Sequence, residues 1–415
     1  MSFTFDIRKM KKFQFFFSLI ISNILLAEPT LAQNTNVSFY TNYTYDGFFE
    51  NQHKDQSLKE KNIGVNLSLN KNKFNSSINV DYNNGGKIKL DGSYLSYNTG
   101  ITSIGFGAIN RNWSFSPNTS LILSKNARPS KGVFLILRDG KGYNADFLSW
   151  LGPWEIEVFS NIISSQENPK NTILTGIRTV VEPSKKLKIE FLKTAQWAGD
   201  GHSDKLSNLQ YILIGDTNEG SGSNINQMAG IGFDYKISKN QNTPSVYAQI
   251  VGEDEAGNLP SCLIYLAGIK FNNFSKKPYM FGLEIIDTRI NHTTTGWCGP
   301  NTAYNNNIYK YTNYGVSMGA PIDSEGKSLE VYGATQISNT TNLNYSIKKL
   351  LLNDSSWAGH RLSSNRQMGY VQKISAVWKR NKAALTATIY NKDLNLNKSN
   401  VAKSLGFNIS GRFNF

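Results

Sequence analysis

Ala402-Lys403-Ser404-Leu405-Gly406-Phe407-Asn408-Ile409-Ser410-Gly411-Arg412-Phe413-Asn414-Phe415 closes the chain, and its reading decides the fold. Leu405, Phe407, Ile409, Phe413 and Phe415 share one face of an extended strand, with Gly411 in the same row. Asn408, Ser410, Arg412 and Asn414 share the other. Successive side chains of a strand point to opposite faces, so one face here is apolar and aromatic and the other polar. Ending on Phe after such a strand is the closing pattern of a bacterial outer-membrane barrel, with lipid on one side and polar filling on the other. An amphipathic strand of a sandwich also alternates. The rest of the chain has to separate the two.

The other end of the chain separates them. Arg8, Lys9, Lys11 and Lys12 precede an apolar run from Phe13 to Ile21 that continues through Leu25 and Leu26. Thr30-Leu31-Ala32 then places small residues where a signal peptidase would cut before Gln33. This reads as a secretory signal over residues 1–32, leaving 33–415 as one transmembrane β-barrel domain. The competing reading is an uncleaved anchor, but the run is short and broken by Ser22 and Asn23. No later stretch has 18 consecutive apolar residues, so no second membrane helix is expected.

Mean hydropathy is −0.38, which would also suit a soluble periplasmic protein. A barrel hides its membrane character from that average, because half of each strand faces inward. With 20 Tyr, 23 Phe, 7 Trp and 34 Gly against 11 Pro, the composition suits many short aromatic-edged strands. The formal charge is +14; residues 1–32 hold four basic and two acidic side chains, so their removal leaves +12. In a membrane setting that excess would attract anions, either lipopolysaccharide phosphates or an acidic polysaccharide, or be a scattered solvated surface. Export argues against nucleic acid, the usual partner of so basic a chain.

From Gln33 onward, alternating segments and polar turns succeed one another. Val37, Phe39, Thr41, Tyr43 and Tyr45 share a face, and Ile63, Val65, Leu67 and Leu69 alternate with Asn62, Asn66, Ser68 and Asn70. The turn Asn70-Lys71-Asn72-Lys73 leads into Phe74, Ile78, Val80 and Tyr82, which alternate with Asn75, Ser77, Asn79 and Asp81. A soluble sheet would need a second layer to cover the apolar face, and none is in evidence. The pattern recurs at Trp154–Val158, Leu187–Phe191, Val246–Ile250, Leu263–Ile269, Tyr279–Ile285, Val331–Ile337 and Leu385–Ile389. With 383 residues after cleavage, roughly 10 per strand and about as many per connection give on the order of 18 antiparallel strands.

Counting back from a periplasmic C-terminus puts the turn Asn272–Pro278 inside. The stretches Gly252–Pro260 and Asn291–Asn307 then lie outside. Cys262 and Cys298, the two cysteines of the chain, fall at the same outer end of one hairpin. Export places them where disulfides form, and a bond between them is expected. No CxxC and no four-ligand metal set is present, so neither metal nor cofactor is called for.

Several blocks together resemble the Wzi-type capsule assembly proteins of the Gram-negative outer membrane. They are Ser120-Leu121-Ile122-Leu123-Ser124-Lys125-Asn126-Ala127-Arg128-Pro129, Leu151-Gly152-Pro153-Trp154 and Thr194-Ala195-Gln196-Trp197-Ala198-Gly199-Asp200-Gly201. Asn226-Gln227-Met228-Ala229-Gly230, the run Gly252 to Ser261, Asp287-Thr288-Arg289, Tyr309-Lys310-Tyr311 and Tyr314-Gly315 follow in the family's order. The resemblance implies an 18-stranded barrel whose lumen is plugged by its loops, and a lectin-like, non-enzymatic role holding capsular polysaccharide. Two departures stand out. Strand pattern begins already at Val37, without the helical periplasmic segment that members often carry before the first strand. The Trp/Gly/Pro-rich stretch before the Ser-Leu-Ile block reads Arg111-Asn112-Trp113-Ser114-Phe115-Ser116-Pro117. Coupling to capsule export machinery would run through the first of these.

Sugar recognition calls for aromatic faces, amides and hydroxyls, and cations for uronate or pyruvyl carboxylates. Arg111, Trp113, Arg128, Trp197, Trp297 and Lys310 offer these in the connecting segments. Girdle tryptophans and arginines paired to luminal acids are the structural alternative. Glu253, Asp254 and Glu255 are expected as loop acids that bridge to Arg or Lys and pin a plug, or that hold a hard cation. His53, His202, His292 and His360 are scattered without an HExxH, and His360 near Ser355 and Ser356 lacks an orienting acid. Gly105-Phe106-Gly107 is a strand fragment, not a dinucleotide loop. Two functions follow: a polysaccharide-binding barrel that organises or anchors capsule, and an anion-favouring diffusion porin.

Overall fold

The computed structural model describes residues 35–47, 60–83, 85–142, 148–214, 224–238, 243–256, 259–273, 278–290, 298–399, 401 and 403–415. The export signal over residues 1–32, Trp297, His53 and His292 lie outside the described residues. The main sheet has nineteen members; Ile88–Lys89 is a two-residue spur on Phe74–Asn83, and the other eighteen form an antiparallel wall. The ring shuts where Ser404–Asn414 pairs with Thr35–Tyr45, with Phe413 opposite Phe39 and Phe407 opposite Tyr45. Closure removes the open edge that a membrane would not tolerate. No helix among the described residues is long and apolar enough to cross a membrane.

Alternation selects the register of that seam. Ile409 and Phe413 are 47% and 43% exposed on the outer face, while Asn408 Nδ2 donates to Asn42 Oδ1 at 2.6 Å on the inner face. A slip of one residue would move the phenylalanines into the lumen and the asparagines into lipid. Tight turns at the same end carry Asn72 and Asn381 at φ of 55° and 50°, a conformation Asn tolerates well.

Two elements go beyond the sequence reading. The strand fragment read at Gly105-Phe106-Gly107 belongs to a hairpin, Tyr94–Thr99 and Thr102–Gly107, whose strands of six residues each are too short for a clear alternation. A short helix, Asn208–Ile214, lies in the connection that follows Trp197, and its Ile212 packs with the outward-facing Ala195 and Trp197. One departure is a correction. Glu253, Asp254 and Glu255 are not loop residues: the strand Pro244–Ala256 runs through them and pairs Glu255 with Pro260. Strand pairing here overrides the poor strand propensity of three consecutive acids.

The apolar core lies inside the ring. Leu121 and Ile122 from the connection after Thr102–Gly107, and Tyr304, Met318 and Ile322 from the one after Tyr279–Asp287, pack on inward-facing Phe134, Phe159, Leu192 and Tyr247. Inward rings lie over cross-strand glycines: Phe134 over Gly105, Phe159 over Gly176, Tyr247 over Gly268 and Tyr332 over Gly282. At Gly176 a Cβ would sit 2.5 Å from the Phe159 ring and 2.8 Å from Trp113, so only glycine leaves that space. On the other side of the lumen a polar chamber of about 440 Å³ remains beside Asn42, Glu60, Asn344, Lys348, Tyr390 and Asn408. At the end opposite the chain termini, Cys262 and Cys298 are joined in a disulfide with Cα atoms 5.3 Å apart.

Candidate functional site

Several of the residues singled out from the sequence form a frame beneath the outer mouth. Glu157, inward on the strand Trp154–Ile162, accepts from Arg111 Nε at 2.7 Å and from Trp113 Nε1 at 2.8 Å. The Arg111 guanidinium stacks 4.1 Å from the Phe159 ring centre, and Trp113 meets the same ring edge-on at 5.3 Å. Trp113 is 1% exposed, so its faces are spent on packing. Arg128 forks onto Asp91 at 2.7 and 3.0 Å and lies over Tyr314 at 4.0 Å. Trp197 ends the strand Leu187–Trp197 on the outer wall, where its Nε1 donates to Thr175 Oγ1 at 3.0 Å. It is a strand residue beneath the short helix, not a loop residue.

The infolded segments are hooked to the wall and to each other. Gln249 on the wall accepts from the Leu121 amide at 2.7 Å and donates to the Trp113 carbonyl at 2.6 Å. Tyr304 Oη donates to the Leu121 carbonyl at 2.7 Å, and Ser124 Oγ to the Gly319 carbonyl at 2.6 Å. The charge of buried Glu253 favours the cationic form of Lys310 and opposes ionisation of Tyr304 and Tyr311. The side chains of Asp254 and Glu255 lie outside the described residues.

Above this frame, side chains from two outer connections meet, the one after Tyr279–Asp287 and the one after Thr341–Leu352. Arg361 Nη1 donates to Asn305 Oδ1 at 3.0 Å and the same guanidinium holds Asp323. Ser355 Oγ donates to Asn301 Oδ1 at 2.8 Å, and Asn305 Nδ2 to the Asn301 carbonyl at 3.0 Å. Lys310 is half-buried; desolvation and then the neighbouring Arg361 charge hold its pKa below the ordinary lysine value. Trp357, half-exposed, lies across Gly359, where a Cβ would come within 2.4 Å of its ring. Arg289 bridges Asp287 at 2.8 Å and Asp354 at 3.0 Å, and Arg366 reaches Asp354 at 2.8 Å. Asn301, Asn305, Ser355 and Arg361 are thus joined, Lys310 bridges Asn305 through the backbone, and Trp357 lies in the same connection as Ser355 and Arg361. The sequence reading named Lys310 of this set but missed Trp357; the signal available was a Trp two residues before Gly in a long outer connection.

His360 is buried in the same group. Its Nδ1 accepts from the amides of Leu362 and Ser363 at 3.2 and 3.4 Å, so Nε2 carries the proton toward the Ser324 carbonyl at 3.0 Å. Both ring nitrogens are therefore committed to backbone, and Ser355 donates elsewhere. Burial lowers the His360 pKa, opposed by Asp323 at 3.9 Å and assisted by the charges of Arg361 and Lys398. A depressed folded-state value means the neutral ring stabilises above its ordinary value near 6.5, and that contribution is lost as pH falls through and below it. Acidification from about pH 7 to about pH 5 should lower the melting temperature. The drop should be smaller in H360Q, as followed by tryptophan fluorescence; equal drops would refute the assignment.

A family model described as capsule assembly protein Wzi matches residues 28–403. The chain belongs to the Wzi family. Among solved structures, Wzi of Escherichia coli, described as an outer-membrane protein involved in group 1 capsule assembly and a carbohydrate-binding β-barrel, superposes with a TM-score of 0.77 at 20% identity. That match covers 92% of this chain and 84% of the other. OprD of Pseudomonas aeruginosa shares the barrel more loosely, at a TM-score of 0.53 and 7% identity over 92% and 94% of the two chains. A 55.8 kDa protein of the Klebsiella pneumoniae cps region is 28% identical over 211 residues, half of this chain and 42% of that one. This Wzi-family chain is an outer-membrane barrel of the capsule-assembly class, and no enzyme family is indicated.

Proposed function

We propose that this barrel holds an acidic capsular or extracellular polysaccharide at its outer mouth and so organises or anchors it at the cell surface. The observation that carries the reading is the meeting of two outer connections, one bringing Asn301, Asn305 and Lys310 and the other Ser355, Arg361 and, between them in sequence, half-exposed Trp357. Trp357 supplies a stacking platform for a pyranose face, the amides and hydroxyl meet sugar hydroxyls, and Lys310 draws a uronate or pyruvyl carboxylate. In this reading Arg111, Trp113 and Arg128 shape the floor, Glu253 pins it electrostatically, and the floor closes the lumen.

The test is binding of a purified acidic capsular oligosaccharide to the detergent-solubilised barrel. W357A should lose about tenfold in affinity, equivalent to about 1.4 kcal/mol of stacking. K310Q should weaken binding less and flatten its salt dependence. Unchanged affinity in both variants would remove the site. Planar-bilayer recordings address the porin alternative: a sealed floor predicts silence, whereas large stable conductance would favour diffusion through the lumen.

A further inference from the structure

The net positive charge is not spread over the molecule. At the outer end Arg128 is matched by Asp91, Arg361 by Asp323, Arg289 by Asp287 and Asp354, and Lys403 by Asp393. Lys125, Lys170 and Lys205 are in no ion pair among the described residues, but Glu167, Asp200 and Asp204 share the connections of the last two. The opposite end holds the short turns, the start of the strand Thr35–Tyr45 and the finish of the strand Ser404–Asn414, which makes it the periplasmic end. Its described turns and strand ends carry Lys71 and Lys73, Lys185, Lys236, Lys379 and Lys382, with further basic neighbours. The acids of that rim among the described residues are Asp139, Glu155, Glu182 and the lumen-facing Asp234. Three of them are already engaged, Glu155 by Arg138 at 3.8 Å, Glu182 by Lys188 at 2.5 Å and Asp234 by Lys270 at 2.5 Å. The six lysines named above are in no ion pair among the described residues.

Their placement says what they meet. Residues 72–73, 185–186 and 381–382 are the tips of turns so tight that an ammonium group cannot travel far from the bilayer surface. The same rim carries a belt of interface aromatics: Phe74 against Tyr97 at 5.0 Å, Phe271 against Tyr279 at 5.8 Å, and Phe413 against Phe415 at 5.1 Å. The lysines are also dispersed around the circumference, on strands far apart in the ring. A single polyanionic chain would be gripped by a continuous groove. A lipid annulus presents a phosphate beside every turn, and basic residues beside a membrane attract anionic headgroups.

We infer that the periplasmic rim is a collar for the headgroups of anionic phospholipids in the inner leaflet of the outer membrane. The collar sets the depth and tilt of the barrel. It stands apart from the outer-mouth reading, and the two fail independently.

Native mass spectrometry of the full-length protein, released from vesicles of phosphatidylcholine mixed equally with phosphatidylglycerol, provides the test. Phosphatidylglycerol should be retained several-fold over phosphatidylcholine. The combined variant K71Q/K73Q/K185Q/K379Q/K382Q should lose that preference, whereas K125Q/K170Q/K205Q, at the outer end, should keep it. Equal retention of the two lipids by the unaltered protein would overturn the collar without any variant. So would a preference that survives in the five-site variant. Displacement of retained phosphatidylglycerol by stoichiometric acidic oligosaccharide would assign the rim to a polyanion chain and overturn it as well.

Discussion

Replacing Glu157 with alanine should destabilise the barrel interior by about 3–5 kcal/mol, because it strands a buried arginine. Arg111 and Trp113 both donate to this one carboxylate, at 2.7 and 2.8 Å, and the Arg111 side chain is 5% exposed. Without Glu157 the guanidinium would remain over the Phe159 ring with its charge uncompensated in a water-poor interior. The measurement is the unfolding midpoint in detergent, read by the shift between folded and heat-denatured mobility. The double variant R111M/E157M provides the control. Removing both charges should restore most of the loss, since a well-packed apolar pair often matches a buried ion pair. Equal losses in the single and double variants would show that the residues matter through volume alone.

Opening the disulfide should have the second-largest effect. Cys262 and Cys298 are 36 residues apart and tie the start of the strand Leu259–Asn273 to the connection that carries Tyr304 and Lys310. In the chain-entropy account, a loop of that length corresponds to about 3–4 kcal/mol of constraint on the unfolded ensemble. C262S/C298S should therefore melt earlier and become sensitive to added protease within residues 298–326, while the eighteen-strand wall keeps its β circular dichroism. Peptide mapping without reductant should recover 262 and 298 in one linked species. Two free thiols in the exported protein would defeat the prediction at once.

The wall was legible because the membrane imposes a local rule. At the seam, Phe407, Ile409 and Phe413 face outward in register with Tyr45, Tyr43 and Phe39, as their two-residue period requires. The hairpin Tyr94–Thr99 and Thr102–Gly107 showed only as the fragment Gly105-Phe106-Gly107, because six residues give too few alternations. The acids 253–255 misled for the opposite reason: they read as loop by composition, and cross-strand pairing made them strand.

The site was much less legible. Arg111 and Trp113 stand out in the sequence as sugar-binding types, yet their partner Glu157 is 46 and 44 residues away, and burial turns them into framework. Arg361 and Asn305, and Ser355 and Asn301, come together only when two separate outer connections meet over the same floor. The formal charge of +14 pointed to an anion but not to a side; ion pairing at one end and its scarcity at the other bear on that.

From its order of residues alone, this chain declared a lipid-facing alternation, about eighteen strands and a resemblance to capsule assembly proteins. All of these rest on short-range periodicity or on contiguous blocks, which a linear reading can detect. Which connections turn inward, which cations are neutralised and which aromatic faces outward were settled only by the closed ring. They depend on contacts between residues tens to hundreds of positions apart, and no local pattern encodes such pairings.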